Sequence, residues 1–226
     1  MMKNLPKILL VFAFGFISSF QGKAQSNEIK IKFIGNCGLY MTDGNMNIYS
    51  DFPYKSGAYG YMEFDNSELD SIKENSVFLF THKHADHYSG RNMRKTLRSK
   101  GGKKYGPWNI KKLNKFAESN TDFEIQTFKT KHRFSFNHYS YLITWHGKNI
   151  FLSGDTESAE TIGEIKNIDM AFLPSWIFIA AKEKDIKIDA KKIGLYHLYP
   201  NEIVSGDIPQ NMIILKNQKS IISVPY

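Results

Sequence analysis

The sequence predicts an α+β fold in which a two-layer sheet core is covered by helices on its outer faces. Three observations carry this expectation. Apolar runs of strand length recur in both halves of the chain, helix-length stretches separate them, and no repeat, low-complexity segment or linker divides the chain. In chain order, Ile29-Lys30-Ile31-Lys32-Phe33-Ile34 alternates over its first five residues as a half-buried strand does. Asp43-Gly44 marks a hairpin turn, with Asn45 to Ser50 returning as the second strand. Ser67 to Lys73 reads as a short helix leading into Ser76-Val77-Phe78-Leu79-Phe80, an apolar run that reads as a buried strand. Helices are expected over 89–99 and 111–118, and strands over 121–129, 139–145 and 148–153, the last two joined across His146-Gly147. A helix over about 158–165, a strand over 168–173, a polar loop from Lys182 to Lys187, a short helix near 189–192 and a strand-like run Ile193 to His197 complete the order.

The first residues read as a leader rather than as part of this fold. Lys3 and Lys7 precede the apolar run Ile8 to Ile17, and small and polar residues follow up to Gly22-Lys23-Ala24. This is the pattern of a secretory signal peptide covering residues 1–24, which leaves 25–226 as a single domain exported to the periplasm or the medium. The apolar run is short for a permanent anchor, so no stable membrane insertion is expected once the leader is removed. The net charge of +8 falls to about +5 without Lys3, Lys7 and Lys23. Arg91 to Lys115 holds ten Lys and Arg and no acid. Such a stretch reads first as a solvated helix face and loop, and it can also attract an anionic small molecule. It lacks aromatic interleaving and any nucleic-acid module, so nucleic acid is not an expected partner. Cys37 is the only cysteine and forms no internal disulfide. Between Asn36 and Gly38 it reads as a small buried residue, with metal ligation as the alternative.

The chemistry concentrates in His82-Lys83-His84-Ala85-Asp86-His87, directly after the apolar run that ends at Phe80. Imidazole nitrogen and carboxylate oxygen are the ligands that borderline divalent ions such as zinc prefer. In an extended stretch His82 and His84 point the same way and can grip one ion, while Asp86 and His87 fall on the following turn, where they can face a second. Asp155 ends the apolar run Phe151-Leu152-Ser153-Gly154 on a tight turn, from which a carboxylate can bridge two cations. His197 closes its strand-like run before Pro200. One further imidazole is needed, and His132 and His138 both qualify. A loop position at the end of the strand that precedes it favours His132, with His138 as the alternative. His146, beside Gly147, reads as a turn residue.

Thr81-His82-Lys83-His84-Ala85-Asp86-His87 resembles the signature of the metallo-β-lactamase superfamily. Gly147-Lys148-Asn149-Ile150-Phe151-Leu152-Ser153-Gly154-Asp155-Thr156 is similar to its later aspartate segment, and Asp169-Met170-Ala171-Phe172-Leu173-Pro174 to the strand that follows. Ile34-Gly35 with Asp51-Phe52 resembles a degenerate opening hairpin, and His132-Arg133 with Tyr141 is similar to the third-ligand segment of the tRNA-processing branch. The resemblance implies a four-layer αββα sandwich with a dinuclear site, zinc being the expected metal and manganese or iron the alternatives. It implies that the first ion takes His82, His84 and His132, that the second takes Asp86, His87 and His197, and that Asp155 bridges them. The implied activity is hydrolysis of an ester, lactone, thioester or phosphoester bond in a small-molecule substrate, with Asp86 as the catalytic residue that orients the nucleophile and carries its proton. Class B β-lactamases have no bridging carboxylate at the position of Asp155, which points away from antibiotic hydrolysis. Two other readings stay open: a single-iron oxidoreductase like the persulfide dioxygenases of the superfamily, and an exported metal-binding protein without turnover. Tyr88, Trp176 and Tyr199 are candidate pocket walls.

Overall fold

The computed structural model describes residues 27–206 and 208–226, so the expected leader over residues 1–24 lies outside the described residues. Among the described residues, twelve strands and five α-helices follow one another in a regular order. The first half comprises β1 (Glu28–Gly35), β2 (Gly38–Thr42), β3 (Asn47–Ser50), α1 (Ser67–Asp70), β4 (Val77–Leu79), α2 (Gly90–Lys100), β5 (Lys103–Tyr105) and α3 (Ile110–Glu118). The second comprises β6 (Phe123–His132), β7 (Ser135–Trp145), β8 (Lys148–Leu152), α4 (Ala159–Glu164), β9 (Ile168–Pro174), α5 (Ser175–Glu183), β10 (Ala190–Tyr196), β11 (Met212–Ile214) and β12 (Ile221–Pro225).

The strands form two six-stranded mixed sheets, ordered β12-β1-β2-β3-β4-β5 and β11-β10-β9-β8-β7-β6. Each sheet has an antiparallel part made of hairpins, β1 to β3 in one and β6 to β8 in the other. Each then continues with parallel strands reached through helical crossovers, β3 to β5 and β8 to β10. The sheets face each other across one core. Ile29, Ile31, Leu39, Met41 and Ile48 from the first sheet pack with Tyr141, Ile143, Trp145, Ile150 and Met170 from the second. The period of two in each strand sends the remaining residues outward. Phe78 joins Tyr49, Phe52 and Met93 under α2, whereas its neighbours Val77 and Leu79 face the inter-sheet core. Phe151, Ala171 and Leu173 pack with Ile162 of α4 and Ile177 of α5 on the other outer face. Helices therefore cover both outer faces, and the four-layer αββα architecture expected of the chain is observed. Among the described residues no helix is long and apolar enough to cross a membrane.

Local differences from the sequence expectation have identifiable causes. The stretch near 189–192, expected as a short helix, is the start of β10, which pairs in parallel with β9 from Ala190↔Ile168 onward. Lysine and alanine favour a helix locally, but pairing with a buried parallel strand overrides that preference. The polar loop expected from Lys182 begins inside α5, which runs directly from β9. β5 pairs with Leu79 and its neighbours as an edge strand, and its two lysines suit an edge exposed to water. β1 takes its outer partner, β12, from far along the chain, with Ile31 of β1 opposite Ile222 of β12. His146 does more than turn the chain: its Nε2 lies 2.8 Å from Asp43 Oδ2, and Asp43 Oδ1 accepts hydrogen bonds from the N–H groups of Asn45 and Met46. This contact ties the β7–β8 turn to the β2–β3 turn.

Candidate metal centre

One edge of the sandwich gathers the ends of β1, β3, β4, β8 and β10 and the tip of the β6–β7 hairpin. The loop after β4 leaves the sheet at Phe80 and is fixed from both sheets. The Tyr141 hydroxyl donates to Phe80 O at 2.8 Å, and Tyr139 N–H donates to Thr81 O at 3.0 Å. His82 and His84 sit on this extended stretch with ring centroids 4.5 Å apart. The chain then turns, with His87 N–H and Tyr88 N–H both donating to His84 O, which points Asp86 and His87 to the same cavity edge. Ser89 caps α2 by accepting from Asn92 N–H and so ends the turn.

His132 is the last residue of β6, beside a register shift between Thr130 and His132, and not on a loop beyond the strand. His84 and His132 approach Nδ1 to Nε2 at 3.1 Å. His82, His84 and His132 together form one cluster of three ligand atoms, all within 4.8 Å of one another. His138 lies inside β7, within the strand rather than at its start, and belongs to a different layer. Its Nε2 accepts the Asp155 N–H at 2.9 Å, and its Nδ1 lies 2.7 Å from the Thr130 hydroxyl. Both ring nitrogens are thus occupied, and burial pushes the His138 pKa down to about 3, so the ring is neutral and holds the Asp155 backbone in place.

Asp155 follows Gly154, whose φ of +57° only glycine adopts without strain. A Cβ there would lie 2.6 Å from His138 Nε2 and 2.7 Å from Thr81 Cβ, so the close approach of this turn to the His82 loop also requires glycine. Asp155 is thereby placed between two groups of ligands. Its Oδ2 lies 3.9 Å from His82 Nε2, 3.8 Å from His132 Nε2 and 3.1 Å from His197 Nε2. Its Oδ1 lies 3.0 Å from His87 Nε2. His197, just past the end of β10 with φ of 56°, is held by its N–H donating to Asn36 O at 3.2 Å. Asp86 Oδ2 lies 3.1 Å from His197 Nε2 and 3.5 Å from His87 Nε2. His87, Asp155 and His197 form, with Cys37, a second cluster within 4.8 Å. All seven residues expected from the sequence therefore lie together, and His138 lies behind them.

Outer contacts fix which nitrogen of three of the rings faces inward. His84 Nε2 lies 3.3 Å from Phe134 O, which leaves Nδ1 for the site. His82 Nδ1 lies 3.1 Å from the Thr81 hydroxyl, leaving Nε2. His87 Nδ1 lies 3.0 Å from Asp51 Oδ2, again leaving Nε2. Asp51 also accepts from Thr81 N–H and the Thr81 hydroxyl, each at 2.8 Å, so one carboxylate anchors both the loop and a ring. Asn36 Nδ2 donates to Asp86 O at 3.0 Å and orients the turn from the other side. The roles of Asp51 and Asn36 are not visible in the sequence as such. The available signal is their position on turns that directly follow strands.

The electrostatics fit a cation-binding centre. Burial pulls the His87 pKa down, but the Asp155 and Asp51 carboxylates outweigh it and hold the ring well above its usual value. His197, opposed by burial in the same way, is held up to about 9 by Asp155 and Asp86. Burial would raise Asp155 and Asp86, yet the facing imidazoles keep both carboxyls below the usual range. His82 and His132 are pushed down chiefly by burial. Buried carboxylates facing several imidazoles make this a place that favours positive charge. His82 Nε2, His87 Nε2 and Asp86 Oδ1 are buried without a hydrogen-bond partner. Unpaired buried donors and acceptors are costly, and these converge on one place with imidazole and carboxylate chemistry. The residues present fit a divalent cation.

Beside the first cluster, Lys83, His84, Trp108, Phe134, Phe136 and Asn137 line an open cavity of about 290 Å³. Lys83 Nζ lies 5.1 Å from the centroid of Trp108. On the other side, Trp176 meets His197 edge-on at 5.0 Å, and Tyr199 stacks on Tyr61 at 4.3 Å, which itself packs on His197. Tyr88 instead packs on Phe80 and Trp108, one residue removed from the ligands.

No family model and no curated protein matches the chain. Among solved structures it is similar to a protein of Parabacteroides distasonis named as a metal-dependent hydrolase, at 21% identity and a TM-score of 0.63, covering 84% of this chain and 94% of that one. It is also similar to Igni18, a metallo hydrolase of Ignicoccus hospitalis, at 14% identity and a TM-score of 0.61, covering 88% and 99% of the two chains. A third similar structure is YhfI of Bacillus subtilis, a metallo-β-lactamase fold protein, at 15% identity and a TM-score of 0.55, covering 88% of this chain and all of that one. Likeness at such identities is likeness of fold, and with the paired sheets, the outer helices and the ligand cluster at their common edge it makes this chain a metallo-β-lactamase-fold protein.

Proposed function

We propose that the protein is an exported dinuclear metal-dependent hydrolase acting on an ester, lactone, thioester or phosphoester bond of a small-molecule substrate. The observation that carries this reading is the place of Asp155, whose two carboxylate oxygens reach both ligand clusters. His82, His84 and His132 would hold one divalent ion, and Asp86, His87 and His197 the other, with Asp155 between them. Zinc suits an imidazole-rich donor set best. Bound there, the ions supply Lewis acidity and make a shared water acidic enough to act as nucleophile near neutral pH.

The chain's own residues do the rest. Asp86 would give one oxygen to the second ion, and its other oxygen is buried and free of hydrogen bonds, so it can take a proton from the nucleophile without leaving its place. Asp51, Thr81 and Phe134 O hold the ligand rings in their tautomers, which removes reorganisation at the moment of reaction. Lys83, in the open cavity next to His84, offers a cation to an anionic part of the substrate, and Trp108, Phe134 and Phe136 offer apolar walls.

A screen of the metal-loaded and chelator-treated protein across lactones, thioesters, phosphodiesters and β-lactams tests the reaction class. Metal-dependent hydrolysis of at least one of the first three classes is expected. Failure of every class, together with iron in the purified protein and oxygen consumption on a thiol substrate, would replace hydrolysis by the oxidative reading.

Two narrower outcomes follow from the geometry. His132→Ala should empty the first position, whereas His138→Ala should leave its ligands in place and loosen only the Asp155 turn. Metal titration separates the two, and full first-site occupancy in His132→Ala would contradict the ligand set. The basic and apolar leader predicts a secreted protein whose N-terminus lies at or near Gln25, and an intact Met1 on intracellular protein would contradict export.

A further inference from the structure

The dinuclear reading above leaves out the one thiol of the chain, and we propose that Cys37 is a thiolate ligand of the second ion, alongside Asp86, His87, His197 and Asp155. Cys37 lies on the turn between β1 and β2, which the topology brings to the same sheet edge as the loop after β4. It is fully buried. Its sulfur belongs to the cluster in which every ligand atom lies within 4.8 Å of every other. Sγ lies 3.9 Å from Asp155 Oδ1. An ion about 2.3 Å from sulfur and about 2.1 Å from oxygen sets those two atoms roughly 3.1–3.8 Å apart for bond angles of about 90–120°. The separation found is close to that, and too long for the two groups to satisfy each other well.

A second, independent observation points to an ion at this position. His87 is fully buried, and its Nε2 has no hydrogen-bond partner. That nitrogen lies 3.0 Å from Asp155 Oδ1, the oxygen that also faces Cys37. The surroundings suit a coordinated sulfur. Tyr196 hydroxyl accepts the Gly154 N–H at 3.0 Å, so its own proton is free to be donated. An outer donor of this kind both orients a thiolate and spreads its charge. The turn is fixed on either side. Asn36, with φ of 50°, is tied to Asp86 and His197 through its side chain and carbonyl, and a Cβ on Gly38 would meet Gly35 O at 3.0 Å and the Tyr54 ring at 3.3 Å.

Binding in this form releases the thiol proton to solvent as the metal–sulfur bond forms, and no oxidant or reductant takes part. The consequence is selectivity. A thiolate favours zinc, cobalt and cadmium over manganese and magnesium, so the two positions differ in metal preference, imidazole-rich at the first and sulfur-containing at the second.

Because the chain has a single cysteine, any metal–cysteine signal reports Cys37. The full-length mature protein is loaded with cobalt(II) and its absorption recorded during titration. Two ions per chain are expected, with a near-ultraviolet sulfur-to-cobalt charge-transfer band growing in with one of them. Cys37→Ser should lose that band, keep the visible bands of the first ion, and bind the second ion at least roughly 10–100-fold more weakly, the loss typical of removing even an outer-shell partner. X-ray absorption of the zinc-loaded wild type needs no variant and should show one sulfur at about 2.3 Å. Two bound ions without the band and without a sulfur shell would overturn the role of Cys37 and leave the dinuclear reading intact. Binding of one ion or none would overturn the dinuclear reading itself, and the role of Cys37 with it.

Discussion

Asp86→Asn should slow hydrolysis of the best substrate by roughly 10²–10⁴-fold, the range supplied by a well-placed acid–base group, while the first ion stays bound. The reason is local. Asp86 Oδ2 is fixed by His197 at 3.1 Å and approached by Asn36 Nδ2 at 3.4 Å, whereas Oδ1 is buried with no partner. Asparagine preserves the volume and the turn, whose backbone bonds run from His87 and Tyr88 to His84 O. It removes the charge and the proton acceptor. The signature is a fall in kcat measured at full first-site occupancy, with the His82, His84 and His132 cluster unchanged. Wild-type turnover by Asp86→Asn with both ions present would remove Asp86 from the reaction.

Asp155→Ala has the larger effect on the metals themselves. Asp155 lies within 4 Å of a ring nitrogen of each of His82, His87, His132 and His197. Without it the two clusters share no ligand, although the His82 and His87 rings still pack together at 4.1 Å. The expected result is a metal-to-protein ratio reduced by about one ion, with turnover falling accordingly. Gly154 gives a subtler comparison, because its substitution leaves the carboxylate present but misplaced. Gly154→Ala brings a Cβ within 2.7 Å of Thr81 Cβ at a backbone conformation that alanine resists. It should lower occupancy in the same direction while keeping all seven ligand side chains. Unchanged metal content in Asp155→Ala would contradict a bridging role.

Much of this centre is legible in the sequence because its ligands are dictated locally. His82, His84, Asp86 and His87 lie on one stretch and turn, so their convergence needs only the strand before them and the helix after them. Asp155 and His197 follow strands that the apolar runs announce. What is hidden is the part made by packing between distant segments. Asp51 acts on His87 and Thr81 only because β3 and β4 pair side by side. Cys37 and Asn36 reach the ligands only because the β1–β2 turn ends at the same edge as β8 and β10, which no local pattern reveals. The choice between His132 and His138 is similar: both point toward the centre from one hairpin, and the structure separates them by giving His138 two hydrogen-bond partners behind Asp155. In the fold, β11 and β12 escape a reading by pattern because they are short and draw their stability from partners far along the chain. The start of β10 escapes it because lysine-rich sequence carries no strand signal until β9 lies beside it.

The dinuclear reading requires one carboxylate, Asp155, to join two occupied metal positions. Elemental analysis of the protein, reconstituted with zinc and freed of loosely bound ions by gel filtration, is the decisive test. Two zinc ions per wild-type chain, falling to about one in Asp155→Ala, is the predicted result. A wild-type protein that is folded and yet holds one ion or none would contradict it.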